Sequence, residues 1–153
     1  DAFCDPLTGI LNRRGFEKEA TECISDHRQG AVIYLDLNQF KTINDRFGHQ
    51  AGDALLRAFA HRLEFCLRPE DILARLGGDE FCVLAVGSES DPAALKARLN
   101  AAMRHFNETE ARSYHVSTSI GLMLIPPSDN RTLDELLASA DELMYVEKRA
   151  RPA

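Results

Sequence analysis

Residues 71–86 read Asp71-Ile-Leu-Ala-Arg-Leu-Gly-Gly-Asp-Glu-Phe-Cys-Val-Leu-Ala-Val86, two apolar runs joined through a pair of glycines. Gly77-Gly78 between strand-like segments predicts a tight hairpin, whose central positions require positive φ. An antiparallel pair therefore sits in the middle of the chain. Directly beyond the glycines come Asp79 and Glu80, two carboxylates beside a backbone that has no side chains to block a ligand. A hard cation such as Mg²⁺ takes oxygen ligands of this kind and often carries a nucleotide's phosphates. The plainer reading of the same residues is a solvated turn; the rest of the chain decides against it.

At 153 residues the chain is one domain, long enough to bury a core. Hydrophobic residues make up 44% and charged residues 27%, as in ordinary globular proteins. No apolar run approaches the roughly 20 residues needed to cross a bilayer. The opening Asp1-Ala-Phe-Cys-Asp-Pro6 lacks the basic and apolar regions of a signal peptide. With no initiator Met, the expectation is a domain spanning residues 1–153 excised from a longer, multidomain chain. A net charge of −6 without a basic stripe argues against a nucleic-acid partner. Cys4, Cys23, Cys66 and Cys82 form no C-x-x-C pair, and three of them fall on apolar faces, which favours reduced core thiols and a cytoplasmic setting. The absence of H-E-x-x-H and of G-x-x-x-x-G-K-[ST] removes zinc-hydrolase and P-loop chemistry.

Periodicity predicts a helix from about Arg13 to Ser25 and a buried strand, Ala31 to Leu35, ending on Asp36. A second helix is expected from about Ala51 to Leu67, burying Leu55, Phe59, Leu63 and Cys66. After the hairpin, Asp91 caps a third helix that has Pro92 at its first position and Leu95, Leu99, Ala102, Met103 and Phe106 as its inner stripe. Val116, Thr118, Ile120 and Leu122 alternate as a further strand, after which Pro126-Pro127 marks a short loop. Thr132 and Glu135 form a capping box for a last helix with Leu133, Leu136, Leu137, Ala140 and Met144 inside. Interleaved helices and strands around one hairpin predict a mixed sheet with helices packed on it. Such a sheet permits the Asp36 strand end and the hairpin turn to converge on one ligand.

Several blocks together resemble the GGDEF domain family, the diguanylate cyclases of bacterial signalling. Asp5-Pro-Leu-Thr-Gly-Ile-Leu-Asn-Arg-Arg14 is similar to the family's opening, and Gly77 to Phe81 is its signature. Between them lie Asp36-Leu-Asn-Gln-Phe-Lys-Thr-Ile-Asn-Asp45 and Gly48-His-Gln-Ala-Gly-Asp53; Ser119-Ile-Gly121 and Ala140-Asp-Glu-Leu-Met-Tyr-Val-Glu-Lys148 follow. The resemblance implies an α/β (α+β) fold: a central, mainly antiparallel sheet of about five strands flanked by helices, like the palm of adenylyl cyclases and polymerases. It also implies a reaction, two GTP becoming cyclic di-GMP and two pyrophosphates, with one GTP held by each half of a homodimer.

The resemblance assigns roles residue by residue. Asp36, Asp79, Glu80 and the main-chain carbonyl of Leu37 would hold Mg²⁺ or Mn²⁺. The physics requires a cation, because a bare carboxylate about 4 Å from a phosphate oxygen is repelled by about 4 kcal/mol at an effective dielectric of about 20. Asp79 or Glu80 would assist deprotonation of the 3′-hydroxyl, Glu80 being the better placed. Asn44 and Asp53 match the guanine readers: a carboxylate accepts from N1–H and the 2-amino group, and an amide donates to a ring acceptor or O6. Alternative roles are helix capping for Asp53 and a turn position for Asn44. Lys41 and Lys148 would contact phosphates, with main-chain N–H groups around Gln39, Phe40 and Lys41 cradling them; dipole compensation at a helix end is the alternative for Lys148.

Arg68-Pro-Glu-Asp71 matches the family's R-x-x-D inhibitory product site by its position before Gly77, with Arg75 a further phosphate contact. Arg131-Thr-Leu-Asp134 fits the same pattern but reads only as a helix start. Two departures stand out. Asn38 occupies a position where many members carry a second Asp, and the C-terminal Lys148-Arg-Ala-Arg-Pro152 displaces the family's Arg by one, so no role carries over to Arg151. The partners implied are GTP, cyclic di-GMP, a second copy and regulatory domains of the parent chain, with no direct membrane contact by this domain. The alternative function is a silent module that binds GTP or cyclic di-GMP.

Overall fold

The structure is a computed structural model; it describes residues 2–25, 29–87, 92–109, 114–126 and 130–150. Asp91, Pro127 and Arg151 lie outside the described residues. The elements run α1 (Arg13–Ser25), β1 (Gly30–Leu37), α2 (Phe40–Phe47), α3 (His49–Cys66), β2 (Ile72–Arg75), β3 (Glu80–Val86), α4 (Pro92–Thr109), β4 (Thr118–Ile125) and α5 (Leu133–Ala150).

The four strands form one sheet in the order β2-β3-β1-β4, and each of the three pairings is antiparallel. The mixed sheet expected from the interleaved pattern is thereby corrected. Among the described residues the count is four, where about five were expected. At the β2 edge the N-terminal segment makes a parallel bridge, Leu11 to Ala74, and a hydrogen bond from Arg75 N–H to Leu11 O. It covers that edge without becoming a strand.

β1 is buried along its whole length, because its alternate residues enter two cores. Ile33, Leu35 and Leu37 face Leu55, Phe59 and Leu63 of α3 and Leu99, Met103 and Phe106 of α4. Val32 and Tyr34 face Phe16 and Ala20 of α1 and Leu136, Leu137, Ala140 and Met144 of α5. Phe59 packs edge-on against both Phe81 and Phe106. The expected capping box is present: Glu135 N–H donates to Thr132 Oγ1 at 3.2 Å, and Thr132 N–H donates to Glu135 Oε1 at 3.1 Å. No described helix is long and apolar enough to cross a membrane.

Two local expectations change. The short helix α2 was not foreseen, since the chain turns through Gln39 in the left-handed region (φ 58) and starts a helix with no capping side chain. The glycine pair also behaves differently, because neither Gly77 nor Gly78 is among the positive-φ glycines. Residues 76–79 make a four-residue connection closed by Leu76 N–H to Glu80 O at 2.8 Å, so the two-residue primed turn is not needed. What the glycines supply is space: a Cβ at Gly77 would sit 3.2 Å from Glu80 Oε1, and one at Gly78 would meet nothing.

Candidate active site at the end of the sheet

Asp36 lies near the end of β1, 4% exposed, directly opposite Glu80 of β3 on one side and Ser119 of β4 on the other. Paired residues in an antiparallel ladder point to the same face, so the strand register alone brings these two acids together. The intervening loop is tied down by Leu37 N–H donating to Asp79 O at 3.1 Å. That bond carries the Asp79 carboxyl into hydrogen-bonding reach of Asp36. From the facing helix, Lys148 Nζ donates to Asp36 Oδ2 at 2.5 Å. Asp36 Oδ1 is buried and has no hydrogen-bond partner.

The electrostatics follow from this crowding. Burial, and then the Asp36 hydrogen bond and charge, push the Asp79 carboxyl up to about 6. Glu80 is raised by burial and by the charges of Asp141 and Asp36, against a Tyr34 hydroxyl that donates to its Oε1 at 3.4 Å. Lys148 is raised by its hydrogen bond to Asp36 and by the charges of Asp36, Asp79 and Glu80, which outweigh its burial. The chain thus concentrates negative charge where a cation or a proton is needed to relieve it.

Among the described residues no group of three or more His, Cys, Asp or Glu is set to hold a metal ion. Asp36 and Asp79 nonetheless fit Mg²⁺, which is commonly held by one or two carboxylates with water and substrate phosphates completing its shell. The orphaned Asp36 Oδ1 is the observation that carries this fit.

The other expected residues fall into three places. Phe40 and Lys41 open α2 just beyond β1, where first-turn N–H groups have no partner within the helix. Asn44 on α2 lies against Gly52 on α3, so closely that a Cβ at Gly52 would overlap Asn44 Oδ1; Asp53 follows, exposed. Phe40 and Lys41 come three and four residues after Leu37, the last residue of the strand that carries Asp36. Arg68 and Asp71 sit elsewhere. Arg68 Nη2 donates to Asp71 Oδ1 at 3.3 Å and to Val86 O at 2.6 Å, and Arg68 Nε lies 3.2 Å from Glu70. Val86 is the far end of β3 from Glu80, six residue steps or about 20 Å away.

Arg75 is not beside Arg68. It lies at the opposite end of β2, where Nη1 donates to both Asp5 oxygens (3.0 and 3.2 Å), and Nε and Nη2 donate to Gly78 O (3.1 and 2.9 Å). Burial would raise Asp5, but hydrogen bonds from Thr8 and then from Arg75 hold it below the usual carboxylate range. Sequence reasoning missed Asp5 and Tyr34 as parts of the site. Tyr34 was within reach of it, two residues before Asp36 and so on the same face of β1.

An α/β domain with an antiparallel sheet and an acid pair at one sheet end is the class of protein that these elements define. The family described as diguanylate cyclase, GGDEF domain, matches residues 2–152, and the chain belongs to that family. It is 38% identical over 152 residues to the bifunctional diguanylate cyclase/cyclic di-GMP phosphodiesterase MucR of Pseudomonas aeruginosa, covering 96% of this chain and 22% of that one. The solved GGDEF domain of TpbB from the same organism superposes with a TM-score of 0.85 at 37% identity, covering 97% of this chain and 90% of that one. The GGDEF domain of DgcB from Caulobacter crescentus, solved in complex with c-di-GMP, gives a TM-score of 0.82 at 25% identity over 97% and 91% of the two chains.

Proposed function

We propose that this domain is a diguanylate cyclase that condenses two GTP into cyclic di-GMP and two pyrophosphates. The observation that carries the reading is the meeting of Asp36, with its unpartnered Oδ1, the Asp79 carboxyl and the Lys148 ammonium at one sheet end. The family match and the relatives named above support the same reading.

In this mechanism Asn44 and Asp53 read guanine, and a purine with the opposite donor pattern leaves their polar groups unpaired. Lys41, Lys148 and the main-chain N–H groups at Phe40 and Lys41 hold the triphosphate. Asp36, Asp79, Glu80 and the Leu37 carbonyl would hold a divalent cation, Mg²⁺ or Mn²⁺, which would polarise the α-phosphate and lower the pKa of a nearby hydroxyl. Glu80 takes the 3′-hydroxyl proton, the 3′-oxygen bonds to the partner nucleotide's α-phosphorus, and the bond to the β-phosphate breaks with pyrophosphate leaving. A second, symmetric transfer closes the ring. Each copy holds one nucleotide, so two copies must face each other.

Arg68 and Asp71 form the inhibitory product site, because a planar guanidinium binds phosphate bidentately and stacks on guanine. The chain spans 22% of the length of MucR, and regulatory domains of a longer parent act as its partners. The test is incubation of the domain with GTP and Mg²⁺, followed by chromatography for cyclic di-GMP. Product at high protein concentration or after forced dimerisation upholds the reading. No product under those conditions, with GTP or cyclic di-GMP still bound, replaces it with a silent binding module.

A further inference from the structure

Asn38 follows β1 and clamps it to the start of β4. Its main-chain N–H donates to Ser117 O at 2.9 Å, its amide nitrogen donates to Ser117 Oγ at 3.0 Å, and its amide oxygen accepts from Ser119 Oγ at 2.8 Å. Ser119 is fully buried and is the direct cross-strand partner of Asp36. Side chains so paired share a face, with Cβ atoms about 4.5–5.5 Å apart. The Ser119 hydroxyl therefore has two acceptors beside it, the Asp36 carboxylate and the Asn38 amide. A carboxylate is the stronger acceptor of the two. Yet the Ser119 proton goes to Asn38, and Asp36 Oδ1 stays buried without a hydrogen bond.

We infer that Asn38 is a positioning residue that draws the Ser119 hydroxyl away from Asp36 and so keeps Asp36 Oδ1 open as a cation ligand. The inference rests on the reading of Asp36 as a metal ligand. Asn38 needs no contact with the cation to act in this way. Without the Asn38 amide, Ser119 turns to Asp36 and donates into the lone pair that the cation uses. Oδ2 is already committed to Lys148. The family acid that Asn38 replaces would accept the same proton, so an amide does this work with one fewer negative charge in an acidic site.

The test is direct binding of Mn²⁺, followed by electron paramagnetic resonance, with the metal alone and with 3′-deoxy-GTP, which lacks the attacking hydroxyl. Asn38→Ala is expected to weaken Mn²⁺ binding about tenfold, the scale of one hydrogen bond to a charged group. Ser119→Ala alone is expected to stay within about twofold of the parent, and the double variant Asn38→Ala/Ser119→Ala to return to that range. Asn38→Asp keeps the acceptor and is expected to retain affinity. Asn38→Gly carries the same expectation as Asn38→Ala should the latter fail to fold, with thermal unfolding checked for every variant. Undiminished Mn²⁺ binding in Asn38→Ala, or a double variant as weak as Asn38→Ala, overturns the inference, the second being the outcome of a purely structural clamp. A parent chain that binds no Mn²⁺ under either condition overturns the metal reading as well, which separates the two failures.

Discussion

Lys148, in the last turns of α5, donates to the Oδ2 of Asp36 near the end of β1, so the last helix reaches the acid pair through this ammonium. The ion pair is asymmetric. Asp36 is buried, whereas the Lys148 side chain is 43% exposed and stays within reach of an incoming phosphate. Lys148→Ala is expected to raise the KM for GTP at least tenfold, the scale of a lost charge-assisted hydrogen bond, and to cost about 1–3 kcal/mol of stability because the buried Asp36 Oδ2 loses this donor. An unchanged KM would assign Lys148 to helix-end compensation alone.

Asp79 gives the metal-free domain a pH dependence with a definite sign. Its carboxyl is pushed up to about 6 from 3.8, so the folded chain holds this proton more tightly than the unfolded chain. The resulting stability is present below about pH 4 and is lost as pH rises towards 6. Glu80, also raised, works in the same direction. Urea midpoints measured in chelator are therefore expected to fall across that window more steeply in the parent than in Asp79→Asn, and the variant is expected to be the more stable at pH 7. Parallel profiles for the two proteins would contradict this.

The acid pair and the capping box were legible because each is local: Asp79 and Glu80 are adjacent, and Thr132 lies three residues from Glu135. Asp36 was legible as the end of an apolar run and, through the family resemblance, as a cation ligand, but its union with Asp79 depends on strand register, which no single segment encodes. The Arg75 clasp was not legible at all. An arginine seven residues after Arg68 reads as its neighbour on paper, but β2 runs between them and sends them to opposite ends. The short helix α2 escaped for a different reason, because it follows a left-handed Gln39 and has none of the usual capping residues.

Arg68 and the acid pair are separated by the length of β3, which makes their effects separable. Arg68→Ala is expected to weaken cyclic di-GMP binding at least tenfold while turnover at low product stays within about twofold. A stability cost of about 1–3 kcal/mol accompanies it, since Asp71 Oδ1 and the Val86 carbonyl lose the guanidinium, while the main-chain N–H of residue 68 still holds Asp71 Oδ2. Calorimetry with cyclic di-GMP decides, and unaltered affinity would remove Arg68 from the product site.

Gly52 is the point where α3 lets the Asn44 side chain lie flat. A methyl group there overlaps Asn44 Oδ1 and approaches Phe40 Cζ to 3.2 Å, so Gly52→Ala must displace the amide. Helix propensity alone would favour the alanine by about 1 kcal/mol. Gly52→Ala is accordingly expected to weaken GTP binding several-fold more than it lowers the melting temperature would suggest, and to narrow the preference for GTP over ATP. Preserved discrimination would show that Asn44 does not read the base.

Arg75 joins three parts of the molecule: its own strand β2, the carbonyl of Gly78 in the acidic loop, and Asp5 of the N-terminal segment. Both charged side chains are largely shielded, at 17% and 14% exposure, so the pair is worth more than a surface ion pair. Arg75→Ala leaves the Gly78 carbonyl without the guanidinium and the Asp5 carboxylate with Thr8 as its donor, and is expected to cost about 1–3 kcal/mol. Because Gly78 precedes Asp79, the same change frees the loop that brings Asp79 to Asp36, and kcat is expected to fall further than KM rises. Asp5→Asn removes the charge and one of the two acceptor oxygens but leaves Arg75 on the Gly78 carbonyl, so it should lose less kcat than Arg75→Ala. Arg75→Ala with full kcat and a lowered melting temperature would confine the clasp to stability.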